Sequence, residues 1–207
     1  MKLYTYDAAP SPQRLAALLK YKGIQIETQQ VDMMTGEHLG DEYKALVPAQ
    51  TVPALILDDG TVLSEVIGIC TYLDALYPEK PMFGTTPLEK AQVISWDFKI
   101  MNTLFMAVAE ALRNASPGFK GRALPGPLDV EQIPELAERG KMRLMWGWEQ
   151  FDQALADGRQ WLAGDNFSFA DTDLVVCAGF SGWVKCTPPQ ELTHLHGYLA
   201  RAQAELA

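Results

Sequence analysis

"PALILDDGTVLSEVIGICTYLDALYP" (residues 53–78) changes its hydrophobic period once, and that change decides the fold. Residues 53–64 read as two short apolar strands around Asp59-Gly60, a dipeptide suited to the positive φ of a tight hairpin. From residue 65 onward Val66, Ile69, Cys70, Leu73, Leu76 and Tyr77 recur at helical spacing, and Pro78 ends the pattern because it has no N–H to extend it. The stretch is therefore strand, turn, strand, helix, with antiparallel strands. Upstream, "KLYTY" (2–6) is a short strand, and "PQRLAALLKYK" (12–22) carries Leu15, Leu18 and Leu19 on one helical face and stops at Gly23. "IQIETQQV" (24–31) begins with strand alternation. Two strands joined through a helix pair in parallel with a right-handed crossover. The first part is thus βαβ, an irregular connection, then ββα: a small mixed sheet with helices against it.

Strand signals stop after residue 78. "YPEKPMFGTTP" (77–87) is rich in Pro and Gly and reads as a linker. Residues 88–114 form one long helical pattern, with Leu88, Ala91, Phe98, Phe105, Ala109 and Leu112 sharing a face. A broken stretch, 115–127, precedes a second long helix from Pro134 to about Ala156, which contains Gly140 and Gly147. Ser168 and Asp171 have capping-box spacing before an apolar run that includes Leu174, Cys177 and Phe180. A last helix covers roughly 189–206. The expected division is 1–78 (α/β), 79–87 (linker) and 88–207 (all-α).

The totals exclude several function classes. The chain has 207 residues, 48% of them hydrophobic, and a formal net charge of −9, which argues against a nucleic-acid partner. No apolar run reaches the ~20 residues that span a membrane, and the first residues lack a signal-peptide core, so a cytoplasmic protein is expected. Cys70, Cys177 and Cys186 are too few and too scattered for a disulfide framework or a zinc site; all three read as small buried residues, and no metal is expected.

Four places can carry chemistry. In "QTVPAL" (50–55) a cis Val52–Pro53 bond would offer the N–H and C=O of Val52 to an extended peptide; a trans proline opening a strand is the plainer alternative. Glu65 stands at a helix start, either as a cap matched to the helix dipole or as an acceptor for a ligand ammonium, with the free N–H groups of that turn taking a ligand carboxylate. His38, in "TGEHLGDEY" (35–43), is either a solvated loop histidine or a holder of a carboxylate. In "DAAPSPQR" (7–14) Ser11 reads locally as an N-cap with Pro12 opening the helix, and no Ser-His-Asp arrangement is visible to activate it.

Taken together, the βαβ entry, "TVPAL", the hairpin "LDDGTVL", a Glu opening the helix that ends "CTYLDALYP", and "FSFADT" in an all-helical half resemble the glutathione transferase superfamily over essentially the whole chain. "APSPQR", "GEHLGDEY" and "ALRNASPGFKG" resemble a fungal and bacterial branch that lacks the usual catalytic Tyr, Ser or Cys. The resemblance implies a thioredoxin-like N-terminal domain, an all-α C-terminal bundle, a homodimer and a glutathione site in each subunit. It implies a cis Pro53, Val52 pairing with the cysteinyl backbone of glutathione, Glu65 and the residue after it, Val66, at the γ-glutamyl end, and His38 and Gln50 near the glycine carboxylate. Many members carry Ser where this chain has Val66, so one hydroxyl contact is lost. The thiol-facing position falls on Ala9; Tyr4 and Tyr6 lie near the position used by tyrosine-type members without the rest of that motif.

The implied reaction is attack by the glutathione thiolate on a small hydrophobic electrophile. The extra donor for the thiolate is expected from the Ser11 hydroxyl or from a water near Arg113, with Asn114 and Ser116 close in sequence. The electrophile pocket is expected between the domains, walled by Ala9, Met101, Leu104, Phe105, Val108 and Phe119. A glutathione-dependent disulfide reductase or peroxidase-type activity, and a non-catalytic binding module on the same fold, are the competing readings. In glutaredoxin-like relatives a C-P-x-C motif occupies this turn; here Ala9 and Pro12 stand at its cysteine positions.

Overall fold

The computed structural model describes all residues, 1–207, as two compact units. The first comprises residues 1–81 together with 125–128, and the second comprises 82–124 and 129–207. The break after Pro81 lies inside the expected linker, whereas nothing in the local composition announces that 125–128 belongs to the first unit.

The first unit is a four-stranded sheet with three helices. Its strands are β1 (Lys2–Thr5), β2 (Glu27–Gln30), β3 (Ala54–Ile56) and β4 (Val62–Leu63), in spatial order β2-β1-β3-β4. β1 and β2 are parallel; β1–β3 and β3–β4 are antiparallel. The helices are α1 (Pro10–Lys22), α2 (Asp41–Leu46) and α3 (Val66–Leu76). Successive strand residues face opposite sides. Tyr4 and Ala54 therefore join a cluster with Tyr43 and Val47 at the end of α2, Val31 and Val52. Leu3 and Leu55 lie on the other side, where β3 meets α3, and α3 in turn packs on α1 through a core that includes Leu15, Leu18, Ile69 and Leu73, each 1% exposed or less. Each such leucine or isoleucine contributes about 1.5–3 kcal/mol on burial.

α1 ends at Gly23, whose φ of 69° lets its own N–H reach the Lys20 carbonyl while Ile24 N–H reaches Leu19. Lys22, its side chain buried to the tip, then joins the end of α1 to α3 and the chain beyond it: its Nζ donates to Asp74 Oδ1 (2.6 Å) and to the Glu79 and Lys80 carbonyls.

In the second unit, α4 (Pro87–Ile100), a π-helical turn (Met101–Phe105) and α5 (Met106–Ala115) run on without a break; α6 (Pro134–Leu155), α7 (Phe169–Ser181) and α8 (Thr193–Glu205) complete it. α4 packs on α7, and α5 on α6. At the upstream end of 88–114 the shared apolar face is not the buried one. Leu88 and Phe98 are 68% and 65% exposed, and Val93, Asp97, Ile100 and Leu104 are buried in their place. Apolar character alone is a poor guide here, because Leu88 and Phe98 stand outward and the buried set includes a carboxylate.

Gly140 and Gly147 sit in α6 because the neighbouring atoms leave no room for a side chain. A Cβ at Gly140 would lie 2.7 Å from both Ala107 O and Ala111 N, and one at Gly147 would lie 2.6 Å from Leu104 Cδ2. At the start of α7, Asp171 Oδ2 accepts from Ser168 N–H (2.7 Å) and from the Ser168 hydroxyl (2.6 Å), so the reach-back half of the capping box is present. Asp171 Oδ1 accepts from Leu162 N–H (2.8 Å) and from Tyr198 Oη. Burial pushes the Asp171 carboxyl up, against the pull of these donors.

Three further expectations are corrected. The last helix begins at Thr193 rather than 189. The irregular connection contains a 3₁₀ turn (Glu37–Leu39) and α2, and β2 covers only 27–30, as a fully exposed edge strand. Cys70 and Cys177 are buried, but Cys186 is partly exposed. No helix is long and apolar enough to cross a membrane.

Candidate functional site

Strand direction gathers the chemistry-bearing residues at one edge of the sheet. The β1–β3 pairing sets Tyr4 opposite Ala54, so carrying the register two residues further sets Tyr6 opposite Val52. The β3–β4 pairing sets Leu55 opposite Leu63, and the same extension sets Pro53 opposite Glu65. The end of β1 leading to α1, the start of β3, and the end of β4 leading to α3 therefore share an edge. β2, parallel to β1, ends there as well and leads toward the turn that holds His38. Four segments distant in sequence converge through pairing alone.

At the centre of that edge the Val52–Pro53 peptide is cis. Neither the N–H nor the C=O of Val52 takes part in a hydrogen bond within the chain, and the residue is 9% exposed. An extended peptide can take up both groups as an added strand. Beside it, Glu65 is the N-cap residue of α3 (φ −103°, ψ 127°), yet its side chain makes no capping bond. The dipole-cap reading is thus corrected in part: Glu65 holds the cap position while its exposed carboxylate stays free. The first backbone bond of α3 is Ile69 N–H to Glu65 O (2.9 Å), which leaves the N–H groups of Val66, Ile67 and Gly68 open at the helix end.

The start of α1 departs from expectation. Ala9 is the N-cap (φ −81°, ψ 144°), Pro10 opens the helix, and Ser11 is its second residue. Pro10, with φ already fixed and no N–H to satisfy, takes the opening position expected of Pro12. This changes the donor inventory. Pro10 and Pro12 have no N–H, and Gln13 N–H is bonded to Ala9 O at 3.1 Å. Ser11 alone keeps a free N–H there, and its hydroxyl has no partner either.

His38 is 3% exposed, so the solvated-loop reading is wrong; the 3₁₀ turn folds it inward. Gln50 is 7% exposed with a φ of 54°, its N–H bonded to Val47 O. Tyr4 and Tyr6 are packing residues of the α2 cluster, the Tyr4 ring meeting Tyr43 edge-on at 6.2 Å.

The residues expected from the helical unit fare differently. Val108 is fully buried and Phe105 is 6% exposed, with its ring near Phe180, so both are core; Leu104 is buried as well. Met101 and Phe119 are partly exposed. Arg113 is committed elsewhere. Its Nε donates to Ala123 O (3.1 Å), its Nη2 donates to the carbonyls of Arg122 and Leu124, and the guanidinium lies 4.5 Å from the Phe119 ring centre. Burial pulls its pKa down, with Arg122 adding to the effect. Asn114 is engaged too, accepting from Ile133 N–H (2.9 Å) and donating to Glu110 O. The water-holding role expected of Arg113 and Asn114 gives way to a structural one, fastening the 116–124 segment and the approach to α6.

Two sets of supporting residues carry no mark in the sequence. Tyr43 donates to Thr51 O at 2.7 Å and so braces the chain just before Val52; burial raises its pKa. Gln30 clasps Asp7 reciprocally, its amide oxygen accepting Asp7 N–H (3.2 Å) and its nitrogen donating to Asp7 Oδ1 (2.8 Å). Gln13 Nε2 adds a bond to Asp7 O (3.1 Å). No local signal singles out these glutamines; only the β1–β2 pairing brings residue 30 to residue 7.

Comparison with known proteins bears on what binds at this edge. Residues 9–76 match the family model described as "Glutathione S-transferase, N-terminal domain". The chain is 32% identical over 206 residues to glutathione S-transferase 2 of Saccharomyces cerevisiae, covering 98% of this chain and 85% of that one. It belongs to the glutathione S-transferase family. Among solved structures, a glutathione S-transferase domain-containing protein of Marinobacter aquaeolei is 30% identical with a TM-score of 0.90, each chain covered in full. Gtt2 of Saccharomyces cerevisiae is also 30% identical, with a TM-score of 0.87 and full coverage of both chains. The transferase fold, a thioredoxin-like sheet unit followed by helices, and glutathione as the ligand class follow from membership. In this member of the family the residue at the start of α1 with donors to spare is Ser11, not Ala9.

Proposed function

We propose that this transferase joins the glutathione sulfur to small hydrophobic electrophiles. The observation that carries the reading is the convergence at one sheet edge of the unbonded peptide groups of Val52, the free carboxylate of Glu65 and the single open N–H of α1. Glutathione supplies the complement to each: a peptide unit, an ammonium beside a carboxylate, and a thiol. The cysteinyl unit pairs with Val52. The γ-glutamyl ammonium meets Glu65 while its carboxylate takes the N–H groups opened at Val66 and beyond, without the hydroxyl that a serine at Val66 would add. Gln50 and His38, both buried, are assigned to the glycine carboxylate.

The thiol then lies at the start of α1. Lowering its pKa by two units from about 8.5 takes about 2.7 kcal/mol. A helix end contributes ~0.3–1 kcal/mol, at most ~2, and a hydrogen bond to a charged group ~1.5–3. Ser11, with N–H and hydroxyl together, meets the requirement without Arg113. The thiol proton passes to solvent, the sulfur forms a bond to the electrophilic carbon, and the leaving group departs with its bonding pair. Of the second-unit side chains expected to meet the electrophile, Met101 and Phe119 are the ones left partly exposed.

A cytoplasmic homodimer is part of the proposal. Leu88, Ile94 and Phe98 on α4 and Tyr72 and Leu76 on α3 are exposed apolar side chains, and three free cysteines fit a reducing compartment. Calorimetry with glutathione, followed by conjugation to an aryl halide, tests the function. Absence of binding at millimolar glutathione, or binding without conjugation, would sink it in favour of a binding module. A disulfide reductase draws no support, because no cysteine stands at the start of α1.

A further inference from the structure

The π-helical turn at Met101–Phe105 is held from outside by α6. Met106 N–H bonds to Met101 O, five residues back, which defines the turn. Such a turn carries one residue more than an α-turn and re-aims everything that follows it; insertions of this kind recur at functional sites. Left to itself it would relax to the α-helical bonding on either side.

Two features of α6 oppose that relaxation. Arg143 Nη2 donates to the Asn102 carbonyl, within the turn, at 2.8 Å, while its Nη1 donates to Glu110 Oε2 at 2.9 Å. One guanidinium therefore ties the inside of the turn to a point beyond its end. Gly147, one helical turn further along α6, leaves room for the turn to lie flush: a Cβ there would come within 2.6 Å of Leu104 Cδ2 and 3.0 Å of Thr103 Cγ2. Arg139 serves as an internal contrast, since it donates to the same Glu110 (Nε to Oε1, 3.0 Å) and has no bond to the turn. Burial disfavours the Glu110 carboxylate, but Arg139 and Arg143 outweigh that and hold its pKa below the ordinary range.

We infer that Arg143 is a positioning residue for electrophile selectivity, acting by fixing the π turn that starts at Met101 and sets the packing of Phe105 against Phe180. The inference rests on the conjugation proposed above. Lysine cannot replace the guanidinium, because a single ammonium cannot serve both acceptors in the same fork geometry. The glutathione contacts assigned above all come from residues of the first unit, so the KM for glutathione should stay put.

The test compares the parent enzyme with Arg143→Met and Arg139→Met on a series running from short haloalkanes to a nitroaryl chloride. The readout is the ratio of kcat/KM for the smallest and bulkiest members. Arg143→Met should change that ratio about three- to tenfold, the worth of one lost hydrogen bond, with the KM for glutathione unaltered; Arg139→Met should leave the ratio as it is. An unchanged ratio in Arg143→Met, or an equal change in both variants, overturns the inference. Should Arg143→Met fail to fold, Arg143→Lys gives the same readout: a ratio shift supports the inference and parent selectivity overturns it. A parent enzyme that conjugates no member of the series removes the proposed function, and the inference falls with it. An active parent with unmoved selectivity removes the inference alone.

Discussion

One substitution, glycine to alanine, should have opposite effects at two helix-interior positions of the second unit. At Gly140 the new Cβ would stand 2.7 Å from Ala107 O, 2.7 Å from Ala111 N and 3.1 Å from Ala111 Cβ. The first two are backbone atoms and cannot rotate away, so α5 and α6 must part. Ala107, Ala111 and Leu144, near the contact, are each 1% exposed or less. Overpacking costs about 1–3 kcal/mol, and two backbone clashes place this site near the upper end. Alanine's better helix propensity returns about 1 kcal/mol, leaving a net loss of about 2. At Gly197, in α8, a Cβ meets nothing within 4 Å, so only the propensity gain of about 0.5–1 kcal/mol remains. Urea unfolding followed by far-ultraviolet circular dichroism reads both. With a slope of about 1–3 kcal/mol per molar, the Gly140→Ala midpoint should fall by about 1 M and the Gly197→Ala midpoint should rise slightly. A Gly140→Ala protein as stable as its parent would refute the close seating of α5 on α6.

Glu65→Gln removes the charge offered to the glutathione ammonium, so the KM for glutathione should rise about ten- to a hundredfold with kcat little changed; an unaltered KM would remove Glu65 from the site. Ser11→Ala keeps the N–H and loses the hydroxyl; the pKa of the bound thiol, read by thiolate absorbance against pH, should rise by about one unit, and no rise would leave ionisation to the N–H and the helix field. Asp171 accepts four hydrogen bonds, and Asp171→Asn turns an amide nitrogen toward those donors, so the stability to unfolding should drop by about 1.5–3 kcal/mol. Because burial raises the folded-state pKa of Asp171 above the unfolded value, its titration favours folding on the acid side, and that contribution declines as pH climbs above about 4. The asparagine variant, which does not titrate, should lack this part of the slope, and parallel stability profiles in acid would contradict the assignment.

What the sequence shows depends on how local each cause is. The hairpin at Asp59-Gly60 and the helix ending at Leu76 are read from neighbours within one or two turns, as is the pairing of Ser168 with Asp171. α2 has six residues, too few for periodicity to rise above chance, and Tyr43 is hidden with it. The π turn is invisible because apolar spacing through 100–108 fits an unbroken helix equally well. Arg113 looks available in the sequence because its acceptors, at 122–124, lie in a stretch with no periodic signal. Val52 and Glu65 are legible for the reverse reason: a proline opening a strand and a carboxylate opening a helix are features of adjacent residues.

On the proposed mechanism, the absence of a polar side chain at Ala9 shifts the demand from chemistry to placement. A hydroxyl can swing to find a thiolate; a backbone N–H cannot, so its direction depends on the turn that carries it. That turn is pinned three times. Gln30 binds both the N–H and the carboxylate of Asp7, Gln13 holds the Asp7 carbonyl, and Ala9 N–H closes onto Tyr6 O at 3.0 Å. The flanking prolines add to this by fixing φ and removing the two N–H groups that would compete for the same sulfur. An N–H bond to a charged sulfur and the helix field together supply roughly 2–5 kcal/mol, and the lower end of that range already approaches a two-unit shift. Ionisation can therefore rest on backbone alone provided the 7–11 turn is rigid, and the residues that make it rigid lie at positions 13 and 30, outside any motif for catalysis.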